Sequence, residues 1–204
     1  MNDREYWERH ARRYDRSMIV LGRPMHRMLE LTAEAVSGAA DALEVAAGTG
    51  LVTTAIAPGV GRLVATDYAE SMVALLRDRV QTAGVSNVVC AVSNIYELQW
   101  PPASFDAVVA ANVLHLLPDL ARALDALRRV LRPDGKLVAP TYCHDETRMS
   151  RLVSRLLSIT GFPASRRFTA MSLETALERE GFEVQRRELI SGLIPIAFIE
   201  AVTR

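Results

Sequence analysis

Leu43-Glu44-Val45-Ala46-Ala47-Gly48-Thr49-Gly50 reads as a buried apolar strand running straight into a glycine turn. Ligands of open α/β sheets sit beyond the carboxyl ends of the strands, where glycines let the backbone approach them. Downstream, Leu63-Val64-Ala65-Thr66-Asp67 is a second apolar strand with a carboxylate at its carboxyl end, placed to accept hydrogen bonds from both hydroxyls of a ribose. Two glycines, a helix start and a ribose acceptor together point to an adenosine-containing cofactor.

The pattern repeats outward from this junction. Apolar runs predict strands over 42–47, 63–67, 88–93, 105–111, 136–142, 183–189 and 194–202, separated by helical stretches that include 71–83, 120–131 and 172–180. Short apolar runs alternating with helices imply parallel strands joined by crossover helices. The last two strands are separated only by Ile190-Ser191-Gly192-Leu193, too little for a parallel crossover, so they must form a hairpin and one strand runs antiparallel. Before the first strand, Trp7, Ala11, Tyr14 and Met18 mark one amphipathic helix, and Met25, Met28, Leu29, Thr32, Ala33 and Val36 mark a second that stops at Ser37-Gly38.

Bulk properties bound the function. The chain has 204 residues, half of them hydrophobic, and a formal net charge of zero, which fits one domain and gives no overall pull toward nucleic acid. Two cysteines, Cys90 and Cys143, read as reduced thiols in a cytoplasmic protein. No run approaches the roughly 18 apolar residues of a membrane span, so no integral membrane segment is expected.

The turn discriminates among cofactors. A dinucleotide site would read G-x-G-x-x-G, but Gly48-Thr49-Gly50-Leu51-Val52-Thr53 lacks the third glycine. A phosphate-binding loop would end in Gly-Lys-Ser/Thr, and no lysine lies near the turn.

With Glu44, Ala46, Gly48 and Gly50 standing at the positions of E/D-x-G-x-G-x-G, the chain resembles the class I S-adenosylmethionine-dependent methyltransferases, in particular those grouped as methyltransferase type 11. The resemblance continues through Asp67, Asn94-Ile95-Tyr96-Glu97-Leu98, Ser104-Phe105-Asp106-Ala107-Val108, Asn112-Val113-Leu114-His115-Leu116-Leu117-Pro118-Asp119 and Leu131-Arg132-Pro133-Asp134-Gly135-Lys136-Leu137. It implies a Rossmann-like α/β fold with a seven-stranded, mostly parallel sheet of order 3-2-1-4-5-7-6, strand 7 antiparallel, and helices on both faces. Residues 1–40 would form an N-terminal helical cap on a methyltransferase domain spanning 41–204, with 143–169 as a lid insertion.

The same resemblance implies S-adenosylmethionine as cofactor and S-adenosylhomocysteine as product. Its binding set would be Tyr14, Ala46, Gly48, Thr49, Gly50, Asp67, Tyr68, Met72, Asn94, Ile95 and Asn112. Asp67 would hold the ribose and Met72 would pack on adenine. Asn94 replaces a carboxylate that accepts from the adenine amino group, and its amide oxygen keeps an acceptor there. Ala46 departs from the first glycine, at little cost if that residue is extended.

His115 and Tyr14 are the candidate catalytic residues. His115 titrates near neutrality when unperturbed and would face an acceptor hydroxyl or amine, although a histidine here also suits a structural or cofactor-contacting role. Tyr14 could help hold the methionine carboxylate or simply belong to an apolar stripe. Cys143-His144 with a distant His115 is not zinc spacing, so no metal is expected. Arg148, Arg151, Arg155, Arg166 and Arg167 could meet an anionic headgroup, or Arg151 and Arg155 could be the polar face of a helix packed through Leu152, Val153 and Leu156.

The expected activity is methyl transfer to oxygen, nitrogen or sulfur of a small-molecule acceptor by a monomer or homodimer. A phospholipid or quinone acceptor is the alternative within that class, and a non-catalytic cofactor-binding regulatory module is the alternative outside it.

Overall fold

The structure, a computed structural model, describes residues 23–159 and 165–203. Tyr14 and the first amphipathic helix lie outside the described residues, as does part of the 143–169 insertion. The chain runs α1 (Arg23–Val36), β1 (Asp41–Glu44), α2 (Leu51–Ile56), β2 (Arg62–Asp67), α3 (Glu70–Thr82), β3 (Val88–Val92), β4 (Phe105–Val109), α4 (Leu120–Val130), β5 (Leu131–Val138), β6 (Thr141–Tyr142), α5 (Arg148–Ile159), α6 (Ala170–Arg179), β7 (Phe182–Ile190) and β8 (Ile196–Thr203).

The sheet order is β3-β2-β1-β4-β5-β8-β6, with β7 paired to β8. Strands β1 to β5 are mutually parallel, and β8 is antiparallel to β5, β6 and β7. This is the expected order, with one difference: the strand anticipated over 136–142 is broken at Ala139-Pro140 into β5 and the two-residue β6. Proline has no amide hydrogen to give to the ladder, which interrupts the strand there.

Burial follows from position in the sheet. The central strands β1, β2 and β4 are buried almost throughout, because helices cover both faces. On β7, Phe182-Glu183-Val184-Gln185-Arg186-Arg187-Glu188-Leu189-Ile190, exposure alternates, as it should on an edge strand wetted on one face. One core layer packs Leu43, Val108, Leu114, Leu124, Leu127 and Phe182 together. The opposite layer packs Met28, Leu31, Ile56, Leu63, Val138 and Phe198. Met28 and Leu31 are on α1, so this part of the N-terminal region is built into the sheet's helical layer.

Two helix boundaries differ from expectation for local reasons. Helix α6 begins at Ala170 because Thr169 is its N-cap, its hydroxyl accepting from the Ser172 amide while the Ser172 hydroxyl accepts from the Thr169 amide. Helix α4 starts on Asp119, whose carboxylate accepts from the Arg122 amide at 3.1 Å, and ends at Val130. Beyond it the chain enters β5 at once: Leu131 pairs with Phe105, residues 132–135 bulge out, and pairing resumes at Lys136 with Ala107. Asp134 takes φ +62° in this bulge, a left-handed conformation that aspartate tolerates better than most residues.

Asp106 fastens the opposite end of the sheet from the glycine turn. It accepts from the Arg132 guanidinium and from the Asp41 amide at 2.9 Å, and Arg132 also reaches Asp41 at 3.1 Å. Burial pushes the Asp106 carboxyl upward, but these bonds outweigh it and hold the group below the ordinary carboxylate range. Asp106 therefore joins β1, β4 and the β5 bulge and takes no part in the cleft.

Candidate active site

A cleft of about 350 Å³ opens beyond the carboxyl ends of β1, β2, β3 and β4. It collects Ala46 and Gly48 from the turn after β1, Asp67 and Tyr68 from the end of β2, and Met72 from α3. Asn94 and Ile95 enter it after β3, and Asn112 after β4. Eight of the residues predicted to touch a cofactor thus line one cavity. Thr49 instead faces a smaller adjoining pocket with Met25, Met28 and Glu44, which shares Ala46, Gly48 and Asn112 with the main cleft.

Asp67 organises this end of the sheet. One carboxylate oxygen accepts from the Gly48 amide at 2.8 Å and the other from the Ala69 amide at 3.0 Å. These bonds fix the orientation of the carboxylate, an acceptor of the kind that ribose hydroxyls donate to. Asn94 is held similarly: its side-chain oxygen accepts from the Tyr96 amide at 3.1 Å, an Asx turn that fixes the loop after β3 and leaves one lone pair on that oxygen.

The glycine turn departs from expectation at two positions. Ala46 is not extended; it has φ +52°, the left-handed region that a Cβ disfavours by about 1–2 kcal/mol. The glycine usual at this position would relieve that strain. Gly50 does not line the cleft. It has φ +88°, and a Cβ placed on it would meet Leu76 Cδ1 at 2.6 Å, so its small size serves the contact between the start of α2 and α3. Gly48, which does line the cleft, also has positive φ, +57°.

Behind the turn, Glu44 is fully buried and accepts from the Thr53 hydroxyl at 2.6 Å. Burial penalises its charge and raises its pKa to about 8; the Thr53 bond opposes that rise and the Asp67 charge adds to it. Glu44 is therefore largely neutral at pH 7. The Glu44 carbonyl also accepts from the Thr66 hydroxyl at 3.0 Å, tying β1 to β2 below the cleft.

His115 does not reach the cleft. It sits in the 3-10 turn Leu114–Leu116, where Leu116 lines the cavity and the His115 ring points into the protein, edge-on to Tyr142 at 6.0 Å and 5.2 Å from His144. With 1% of its surface exposed, burial, assisted by the His144 charge, lowers its pKa to about 3. So weak a base, shut away from the cavity, is unsuited to deprotonating an acceptor. The structural role is the one its surroundings support. His144 is likewise buried, its Nδ1 2.6 Å from the Ser154 hydroxyl, and burial depresses its pKa. Among the described residues no cluster of histidine, cysteine, aspartate or glutamate could hold a metal ion.

Sequence reasoning missed Ser93 and Tyr96 as lining residues. Tyr96 lies inside the quoted Asn94–Leu98 stretch, and its ring carries the Arg122 guanidinium at 5.3 Å. Ser93 ends the apolar run of β3 with a hydroxyl, a sequence signal of the same kind as Asp67 on β2. Its Oγ is buried with no hydrogen-bond partner, as is Oδ1 of Asn112, whose amide nitrogen points to Met28 Sδ at 3.4 Å. Buried polar atoms are rarely left unpaired without reason. Two of them on opposite sides of a cleft of nucleoside size, with an oriented carboxylate between, fit a polar adenosine-type cofactor.

Comparison with known proteins agrees with this geometry. Residues 43–139 match a family described as "Methyltransferase domain". The chain is 35% identical over 135 residues to "Ubiquinone/menaquinone biosynthesis C-methyltransferase UbiE" of Hydrogenovibrio crunogenus, covering 63% of this chain and 53% of that one. It is 31% identical over 160 residues to the protein of the same name from Shewanella oneidensis, covering 75% and 64% respectively. The chain thus spans between half and two thirds of the length of these relatives. In fold, it superposes on a solved SAM-dependent methyltransferase from Aquifex aeolicus with a TM-score of 0.74 at 21% identity, over 100% of both chains. Motifs, strand order, cleft and sequence relatives converge on the class I S-adenosylmethionine-dependent methyltransferases, whose domain the chain matches over residues 43–139.

Proposed function

We propose that the protein transfers a methyl group from S-adenosylmethionine to a small-molecule acceptor. The observation that carries this reading is the cleft itself, in which the oriented Asp67 carboxylate stands between two unpartnered buried atoms, Ser93 Oγ and Asn112 Oδ1. When bound, the cofactor supplies an electrophilic methyl group on a sulfonium. Asp67 accepts from its ribose hydroxyls, Met72 packs against the base, and Asn94 accepts from the adenine amino group. Gly48 and Thr49, next to the smaller pocket lined by Glu44, receive the methionine end. Tyr14 remains a candidate for the same carboxylate.

Asp67 is the one carboxylate among the described residues lining the cleft, and it is engaged with two backbone amides. What the described lining contributes to the transfer is alignment and exclusion of water. Val113, Leu116, Leu117 and Pro118 supply an apolar wall on the β4 side.

A narrower reading is a quinone acceptor. It is favoured by the names of the two relatives above and by the apolar wall. A cytoplasmic enzyme accords with the two free cysteines, and among the described residues no helix is long and apolar enough to cross a membrane.

The test is incubation with methyl-labelled S-adenosylmethionine and a panel of phenols, amines, thiols and demethylated quinols, with mass detection of products. Label on a quinol ring carbon alone supports the narrower reading. Label on a soluble heteroatom acceptor removes it. Binding of S-adenosylhomocysteine without transfer to any acceptor favours a regulatory module.

A further inference from the structure

Among the described side chains of helix α5, the two that are fully buried are polar: Ser154 is sealed against His144, and Ser150 in a reciprocal cap with Thr147, whose amide donates to the Ser150 hydroxyl at 2.9 Å. The exposed side of the helix sets apolar residues beside arginines. Met149, Leu152 and Leu156 are 55%, 55% and 59% exposed, and their i, i+3, i+7 spacing places them in one stripe. One of the two sequence readings made Leu152, Val153 and Leu156 the apolar face opposite Arg151 and Arg155; the structure turns Leu152 and Leu156 outward.

The stripe has a charged margin of one sign. Arg148 and Arg151 are exposed beside it, Arg155 is on the same helix, and Arg148–Ile159 contains no aspartate or glutamate. An apolar stripe flanked by arginines is the composition of helices that lie in the plane of a lipid surface, the apolar side chains entering the acyl boundary and the cations meeting anionic headgroups. The helix is also placed to matter for the cleft. The chain after it returns to the cleft rim, where the Ser165 and Arg166 amides both donate to the His115 carbonyl, at 3.1 and 2.9 Å, and the Arg166 guanidinium donates to the Pro118 carbonyl at 2.9 Å.

We propose that α5 docks this protein on an anionic lipid bilayer surface through Met149, Leu152 and Leu156, with Arg148 and Arg151 bound to headgroups. The charge balance selects this occupant over the chain's own first residues. Residues 1–22 hold six basic and four acidic side chains, counting Arg4, Arg9, Arg12, Arg13, Arg16 and His10 against Asp3, Glu5, Glu8 and Asp15, so they offer a basic helix no net complement. The proposal concerns where the protein sits and holds whatever acceptor it methylates.

The whole 204-residue chain is sedimented with vesicles of phosphatidylcholine alone and of phosphatidylcholine with phosphatidylglycerol, at low and high salt. Binding to the phosphatidylglycerol vesicles that weakens with salt is expected. Leu152→Glu with Leu156→Glu weakens it at least about tenfold, while affinity for S-adenosylhomocysteine, which reports an intact fold, is unchanged. No sedimentation of the wild type with the anionic vesicles, or equal sedimentation of the double variant, overturns the proposal. In a second measurement Leu152→Cys is labelled with a water-soluble maleimide and mapped by mass. Labelling in free protein and protection by anionic vesicles supports the proposal. Protection without vesicles shows that residues 1–22 or a second copy cover the stripe, and overturns it. Failure of methyl transfer would leave both readouts untouched.

Discussion

Asp67 and Gly48 are joined by a 2.8 Å hydrogen bond from the Gly48 amide to the Asp67 carboxylate, so the acidic end of β2 and the glycine turn after β1 form one unit. The carboxylate proposed to hold a ribose is thereby fixed by the backbone proposed to meet the rest of the cofactor. Asp67→Ala is expected to weaken S-adenosylhomocysteine binding by about 1–3 kcal/mol, through the lost ribose bonds and the Gly48 amide left without its acceptor. Titration calorimetry checks this; unchanged affinity would mean that the ribose lies elsewhere.

Ala46 carries strain that a glycine would not. At φ +52° its Cβ disfavours the conformation, while glycine costs more unfolded-chain entropy. The first effect is the larger, so Ala46→Gly should raise stability by up to about 1 kcal/mol. Thermal unfolding of the two proteins measures it, and a lower melting temperature in the variant would contradict the strain argument.

Gly50→Ala should act in the opposite sense and on a different property. Its φ of +88° and the 2.6 Å approach to Leu76 Cδ1 predict a stability loss of about 1–2 kcal/mol. Because Gly50 does not line the cleft, affinity for S-adenosylhomocysteine should be nearly unchanged. A large loss of affinity at full stability would restore the direct cofactor contact expected from the motif.

Two buried groups set opposing pH dependences. Glu44 has an ordinary value of 4.5 and a folded value of about 8, so between them the native state holds a proton the unfolded chain has released, and stability falls as pH rises. His115 has an ordinary value of 6.5 and a folded value of about 3, so between them the unfolded chain holds the extra proton, and stability falls as pH drops. From 4.5 to 6.5 the two slopes, each up to about 1.4 kcal/mol per pH unit, oppose one another. Urea unfolding across pH should therefore show that Glu44→Gln flattens the alkaline decline and His115→Gln the acid decline. Variant profiles parallel to the wild type would refute both assignments.

The cleft was legible from the sequence to the extent that it depends on strand ends. Ala46, Gly48, Asp67, Tyr68, Met72, Asn94, Ile95 and Asn112 follow or end apolar runs, and a parallel sheet brings such positions to one edge regardless of detail. His115 was misplaced for the complementary reason. It lies only a few residues past β4, but a 3-10 turn rotates successive side chains by about a third of a circle, and that rotation, not sequence distance, decides which residue faces a cavity. Ser93 was overlooked because a hydroxyl after an apolar run carries little signal until it is seen to lack a partner.

The amino-acid sequence by itself determined the alternation of strands and helices, the antiparallel hairpin forced by the short link between Leu189 and Ile194, and the family to which the glycine turn belongs. These follow from local periodicity and chain length, which need no knowledge of neighbours. Only the tertiary structure decided the left-handed φ of Ala46, the packing duty of Gly50, the burial of His115 and the outward turn of Leu152 and Leu156. Each depends on what lies across a gap from the residue, and contacts between distant segments are not written in the spacing of either one.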